Sequence, residues 1–192
     1  MPLYSENYLR NLSEKRTFSE TLNLINESKS YSKFDIFLSH SYLDRSVIRG
    51  LFIELTSMGY RVYVDWLIDP HLDRTNVTKE SAELIRRRMK SSESLLLAIS
   101  TNASTSKWMP WELGFVDGNT SKCAIIPVSD KLFPSESYQG FEYLKLYPFV
   151  KKHNTVQKIP KLWVIEDYNK YVIFDDYLNE NRKPYFRDVN IF

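Results

Sequence analysis

This sequence predicts an α/β fold: a central parallel sheet with helices on both faces. Three observations carry that prediction. Leu95-Leu96-Leu97-Ala98-Ile99-Ser100 opens with a continuous apolar run of strand length, so the strand it forms needs cover on both faces. Two β-rich runs, Phe34 to His40 and Tyr60 to Trp66, precede it, and Cys123 to Val128 follows. Helix-period segments separate these runs, the pattern of right-handed βαβ crossovers and hence of parallel strands. A length of 192 residues, 43% hydrophobic and 26% charged, suits one globular domain with an appendage.

Residues 1–30 are polar with apolar positions at Leu9, Leu12, Leu22, Leu24 and Ile25, and read as an N-terminal helical extension lying on the domain. The domain proper is assigned to 31–180 and a C-terminal tail to 181–192. Its first strand, Phe34-Asp35-Ile36-Phe37-Leu38-Ser39-His40, ends in polar residues. From Asp44 to Met58 the residues Val47, Ile48, Leu51, Phe52, Leu55 and Met58 repeat at three and four, and Gly59 supplies the stop. Gly50 lies inside this helix at a cost of about 1 kcal/mol in propensity. The second strand opens into a polar loop with Pro70 and His71 that runs to about Val77, and Thr78 caps a helix over 79–90. Leu132 to Phe149 mixes aromatics with Pro134, Gly140 and Pro148 and shows no period. Leu162 to Ile165 reads as a fifth strand, and 167–183 as a closing helix.

Composition narrows the function. With 26 Lys+Arg against 24 Asp+Glu the net charge is +2, too small a field for a simple nucleic-acid binder. The single Cys123 permits neither an internal disulfide nor a thiolate metal site, and it reads as buried packing in a cytoplasmic protein. His71 and His153 are too isolated to gather the roughly three or four ligands of a metal site. The opening MPLYSENYLRNLSEKR lacks the apolar core of a secretory signal. No apolar run approaches the ~18 residues of a membrane span, so no membrane partner is expected.

In a parallel α/β sheet the ligand crevice lies outside the carboxyl ends of the strands. The segments arriving there are Ser39-His40-Ser41, Asp65-Trp66, Ser100-Thr101-Asn102 and, soon after, Ser106 to Glu112. Glu112 follows Trp108 by four positions, which on a helix places both on one face, and Pro110 is tolerated between them if this is the first turn. Each residue also has a plainer reading. Glu112 suits the positive end of a helix dipole, Ser39 and His40 finish a strand, and Asp65 can anchor the following loop. Trp111 is the better core aromatic, whereas Trp108, sharing the face of Glu112, is the better pocket residue. Arg86-Arg87-Arg88 reads first as a solvated helix face and second as a phosphate contact.

Taken together, FDIFLSHSYLD, GYRVYVDW, SLLLAIS and STSKWMPWELG resemble a Toll/interleukin-1 receptor (TIR) domain of the bacterial enzymatic type over about residues 33–129. The resemblance implies a flavodoxin-like fold and an NAD-cleaving site whose catalytic glutamate, from the Trp-x-x-x-Glu motif, is Glu112 beside Trp108. Ser39, His40, Asp65, Trp66 and Ser100 are then the substrate-binding candidates, NAD is a substrate, and neither a bound cofactor nor a metal is required. The loop from Leu67 to Thr78 takes the place of the BB loop, which gates the site and mediates assembly, so a homo-oligomer is implied for the active form. Short TIR proteins of this kind resemble the signal-generating partner in anti-phage systems such as Thoeris, whose ADP-ribose-derived product acts on a separate effector protein. The N-terminal extension and the aromatic segment after Lys131 depart from the family pattern.

Nicotinamide is a cationic leaving group that departs without a proton from the enzyme, leaving an oxocarbenium-like ribose that an ionised Glu112 can stabilise. Water, an atom of the same nucleotide or an added nucleophile can then complete the reaction. Two other classes stay open at this point: a non-enzymatic TIR scaffold, which the intact Trp-x-x-x-Glu disfavours, and a nucleoside deoxyribosyltransferase-like enzyme.

Overall fold

The computed structural model describes residues 4–72, 78–129, 142–167, 169–179 and 187–188. Strand β1 (Phe34–Ser39) runs between β2 (Val62–Tyr63) and β3 (Ser92–Ile99), and β4 (Cys123–Pro127) lies beyond β3. Ile36 is in register with Val62, Leu38 with Leu96 and Ala98 with Ile126, all in parallel ladders. Strand β5 (Phe149–Asn154) joins β4 in parallel through Phe149 and Ile125, giving the order β2-β1-β3-β4-β5 of flavodoxin-like sheets. β3 is buried along almost its whole length, as its unbroken apolar run requires.

Helix α3 (Arg45–Ser57) links β1 to β2, α5 (Lys79–Lys90) leads into β3, and α6 (Trp108–Thr120) links β3 to β4. The chain steps one way from β1 to β2 and the other way from β2 to β3 and β4. Right-handed crossovers therefore put α3 on one face and α5 with α6 on the other. Thr78 caps α5 as the sequence predicts, its hydroxyl accepting from the Ser81 amide at 3.2 Å. Gly59 ends α3 with φ 95°, a left-handed conformation that glycine adopts freely.

The structure corrects two of the predicted secondary-structure elements. The second strand is much shorter than Tyr60 to Trp66, because β2 is a two-residue edge strand and the chain turns at once into a short helix, α4 (Asp65–Ile68). Where it is described, the closing helix expected over 167–183 is replaced by a strand and a short helix. β6 (Pro160–Asp167), β7 (Lys170–Ile173) and β8 (Arg187–Asp188) extend the sheet in antiparallel fashion to eight strands, and α7 (Phe174–Leu178) follows β7. Tyr171, Val172 and Ile173 are strong β-formers, and an antiparallel hairpin needs no crossover helix. Residues 130–141 of the aromatic segment, 73–77 of the loop, and 180–186 and 189–192 around the tail lie outside the described residues. Among the described residues no helix is long and apolar enough to cross a membrane.

The extension forms α1 (Glu6–Lys15) and α2 (Phe18–Ser30). α1 lies across α3 with Leu9 fully buried, and Tyr4 makes a parallel bridge to Val128. Tyr8 donates to Glu54 on α3 at 2.9 Å, and Lys152 of β5 pairs with the same carboxylate. Gly50 is where the two helices touch: a Cβ built there would stand 2.0 Å from the Leu9 carbonyl oxygen. The glycine that weakens α3 on propensity is the residue that admits α1.

Gly50→Ala is therefore expected to destabilise by about 1–3 kcal/mol or more despite alanine's better helix propensity. At this chain length that lowers the melting temperature by about 2–4 °C per kcal/mol. Gly118→Ala, on exposed α6 surface with nothing within 4 Å of the new Cβ, serves as the control and should melt no lower than the parent.

Candidate active site

The inner stripe of α6 consists of Met109, Glu112, Leu113 and Val116, so a carboxylate occupies a slot that helical periodicity reserves for an apolar side chain. Glu112 is 0% exposed and accepts a hydrogen bond from the Ser39 hydroxyl at 2.5 Å. Ser39 is the last residue of β1, which fixes the carboxylate at the carboxyl end of a strand inside the parallel part of the sheet. Pro110 is the third residue of α6, where its missing N–H has no intrahelical partner, as the sequence reading requires. The helix-dipole explanation of Glu112 weakens here. The residue lies beyond the first turn, and a sequestered carboxylate costs several kcal/mol unless it is hydrogen-bonded.

His40, Asp65 and Trp66 form a second group beside this pair. The Trp66 indole N–H donates to His40 Nε2 at 3.1 Å, and His40 Nδ1 lies 2.9 Å from the Leu38 carbonyl oxygen. An indole nitrogen can only donate, so Nε2 accepts and Nδ1 carries the proton. Asp65 approaches the same Nε2 at 3.5 Å. His40 and Asp65 are buried, whereas Trp66 is half-buried with the Arg45 guanidinium 5.2 Å from its ring centroid.

Ser100 belongs to a third group that the sequence did not reveal. Its hydroxyl donates to the buried Asp44, whose other oxygen accepts from Asn102 Nδ2 at 2.7 Å, while the Asn102 amide donates to Ser100 Oγ at 3.0 Å. Asp44 stands at the N-cap position of α3 yet makes no capping hydrogen bond with its side chain. It fastens the segment after β1 to the segment after β3 instead.

Those two segments wall a cleft of about 770 Å³: residues 41–43 line one side, residues 105–108 and Trp111 the other, and Ala82 and Arg86 of α5 complete it. Trp108 and Trp111 meet edge to face with centroids 5.5 Å apart. Both are half-buried in the wall, so Trp111 is not the core aromatic its sequence position suggests. The arginine run also divides. Arg88 is not a solvated residue, since its Nε and Nη2 each bond Asp69 at 2.8 Å, and Tyr63 donates to the same carboxylate at 2.9 Å. This pairing holds the start of the loop that follows α4. Cys123 is buried and its thiol is pushed up by desolvation. Among the described residues no group of three or more His, Cys, Asp or Glu could hold a metal ion.

The Asp44 clasp can be tested by exchanging its partners. Asn102→Asp sets two carboxylates against each other and should lower the melting temperature and the activity together. Adding Asp44→Asn restores an amide–carboxylate pair of reversed polarity and should recover both, with a coupling energy of about 0.5–3 kcal/mol in a double-mutant cycle. A double variant no better than Asn102→Asp alone would show that the two side chains do not act through each other.

No family model matches the chain. Comparison with curated proteins finds a Bacillus cereus (strain MSX-D12) protein named probable 3′ cyclic ADP-D-ribose synthase ThsB′. It is 43% identical over 94% of this chain and 100% of the relative. A Cytobacillus dafuensis protein, provisionally named cyclic ADP-D-ribose synthase TIR2, is 28% identical over 47% of this chain and 24% of its own length. With the flavodoxin-like strand order, the Trp-x-x-x-Glu pair at the end of the sheet and full-length similarity to the first of these relatives, the chain belongs to the Thoeris ThsB′ family of TIR proteins.

Proposed function

We propose that this protein cleaves NAD at the bond between nicotinamide and ribose and closes the remaining ADP-ribose into a 3′-cyclic signal nucleotide, with Glu112 as the catalytic residue. NAD cleavage by a TIR enzyme of the ADP-ribosyl cyclase kind, acting in anti-phage signalling, is the function of the family. The single observation that supports Glu112 is its burial in a core slot of α6 with the Ser39 hydroxyl on its carboxylate. A scaffold that only binds other TIR domains has no use for such a group.

The C–N bond breaks with its electron pair leaving on nicotinamide, which departs neutral, and positive charge develops on the ribosyl carbon. The Glu112 carboxylate stabilises that charge, and the Ser39 hydroxyl fixes its orientation, so little reorganisation is needed in the transition state. A ribose 3′ oxygen of the same molecule then forms the new C–O bond and gives up its proton, which the Glu112 carboxylate can accept. Trp108 and Trp111 line the cleft with indole rings and limit water, which favours an acceptor already held in the nucleotide.

Glu112, Ser39 and Ser100 are all closed to solvent in the protomer, so substrate reaches the carboxylate only after the wall shifts. Association with a second copy supplies that shift, and the product acts on a separate effector protein. Activity per protomer should consequently rise with concentration. Constant specific activity over about a hundredfold dilution of a demonstrably monomeric protein would remove the role of assembly.

Glu112→Gln keeps the size of the side chain and an oxygen that accepts from Ser39, but deletes the charge. Nicotinamide release should fall by at least ~10²-fold, the scale of losing one preorganised electrostatic partner. Thermal melting should change little, because the hydrogen bond survives and an ionised group no longer has to be buried. Full activity in the folded variant would transfer the catalytic role to another carboxylate.

A further inference from the structure

The Arg86-Arg87-Arg88 run is the strongest charge feature that the catalytic pair leaves unused, and its three members have three different surroundings. Arg88 is committed to Asp69. Arg87 borders a separate hollow of about 360 Å³ together with His71, Thr78 and Glu80. Arg86 reaches the main cleft, its guanidinium carbon 5.7 Å from the centroid of the Trp111 ring. Packing against an indole face steadies the guanidinium plane and leaves its N–H groups available for a ligand.

The chemistry around Arg86 favours an anion. Among the described residues lining the cleft the charged ones are Arg86 and Lys107, both cationic, and Ser41, Thr105 and Ser106 add hydroxyl donors. Aromatic walls lower the local dielectric and strengthen a charge pair formed between them. A planar fork of N–H donors matches adjacent phosphate oxygens better than it matches a neutral sugar or base edge.

We propose that Arg86, steadied on Trp111 and assisted by Lys107, binds the diphosphate of the substrate, so that the cleft holds the middle of a dinucleotide. The proposal rests on the NAD-cleavage reading above and names a substrate-binding residue for that site. The diphosphate carries the same charge before and during bond cleavage. Arg86 therefore contributes equally to ground-state and transition-state binding and acts on KM rather than kcat.

The experiment compares the parent with Arg86→Gln, Arg86→Lys and Arg87→Gln in the full chain. Arg86→Gln should raise KM for NAD at least ~10-fold with kcat within about threefold. Inhibition by inorganic pyrophosphate and calorimetric binding of ADP-ribose should weaken by a similar factor. Arg86→Lys should fall between, since it keeps the charge and loses the stacked fork, and Arg87→Gln should match the parent. Unchanged KM and pyrophosphate inhibition in folded Arg86→Gln overturn the proposal, as does a loss confined to kcat. Should Arg86→Gln melt lower than the parent, Lys107→Gln replaces it, with the same KM rise expected and the same null result decisive. ADP-ribose binding is read without turnover, so the two readings fail separately. A parent that binds ADP-ribose through Arg86 but releases no nicotinamide supports this proposal and defeats NAD cleavage alone.

Discussion

One carboxylate in a hydrophobic layer is the constraint around which the rest of the site is arranged. Glu112 faces the sheet between Met109, Leu113 and Val116, where an apolar side chain would serve stability better. It is tolerated because β1 ends in a hydroxyl rather than a carbon at the position it meets. That contact fixes the register of α6 against the sheet, since a slip of one residue would turn Glu112 by about 100° and leave Ser39 facing a hydrocarbon. The remainder of the core, from β1 through β4, is almost wholly apolar and buried, so it can absorb the cost of one charged group.

The groups flanking this pair are bound to each other in the closed protomer. Ser100 bonds Asp44, and Trp66 bonds His40 beside Asp65. Their immediate work is to tie together the chain segments leaving different strands. The Asp44 clasp joins the segments after β1 and β3, which are the two walls of the cleft, and the Arg88–Asp69 pair joins α5 to the chain leaving α4. Such pairs cost little side-chain entropy once formed, because the buried Asp44 has no solvent alternative. A cleft whose walls are tied in this way resists independent movement of either segment.

How much of this was legible in the sequence follows from the range of each interaction. The four parallel strands and the Trp108–Glu112 pairing rest on local periodicity, and both can be read from a window of a few residues. Asp44 could not be assigned a partner, because Asn102 lies 58 positions away and an aspartate before a helix has an ordinary explanation as a cap. Arg88 looked like its neighbours for the same reason, with Asp69 19 positions away. Gly50 carried a visible penalty but no visible purpose until α1 was placed against it. β6 is legible in Leu162 to Ile165, but its antiparallel partner β7 reads as helix, because Tyr171 and Ile173 are half-exposed apolar residues on the face where a clean strand alternation would place polar ones.

The geometry of α6 sets two different environments on the two sides of one short motif. At about 100° per residue, Trp111 lies about 60° to one side of Trp108 around the helix axis and Glu112 about 40° to the other. Trp108 therefore stands angularly between the cleft wall, where Trp111 carries Arg86, and the sealed face, where Glu112 meets Ser39. The helix separates a cationic region from an anionic one without setting them in direct contact. A net charge of +2 supplies no long-range field to attract a nucleotide, and salt screens exposed charges beyond about 8 Å, so recognition has to be built from such local polarity. A substrate with a diphosphate at its centre and a positive pyridinium-bearing ribose at one end has the complementary arrangement. On the proposed reading, reversing its direction would leave the diphosphate beside Arg86 but bring the uncharged adenosine end to Glu112 in place of the pyridinium-bearing ribose, so the polarity of α6 favours the productive orientation.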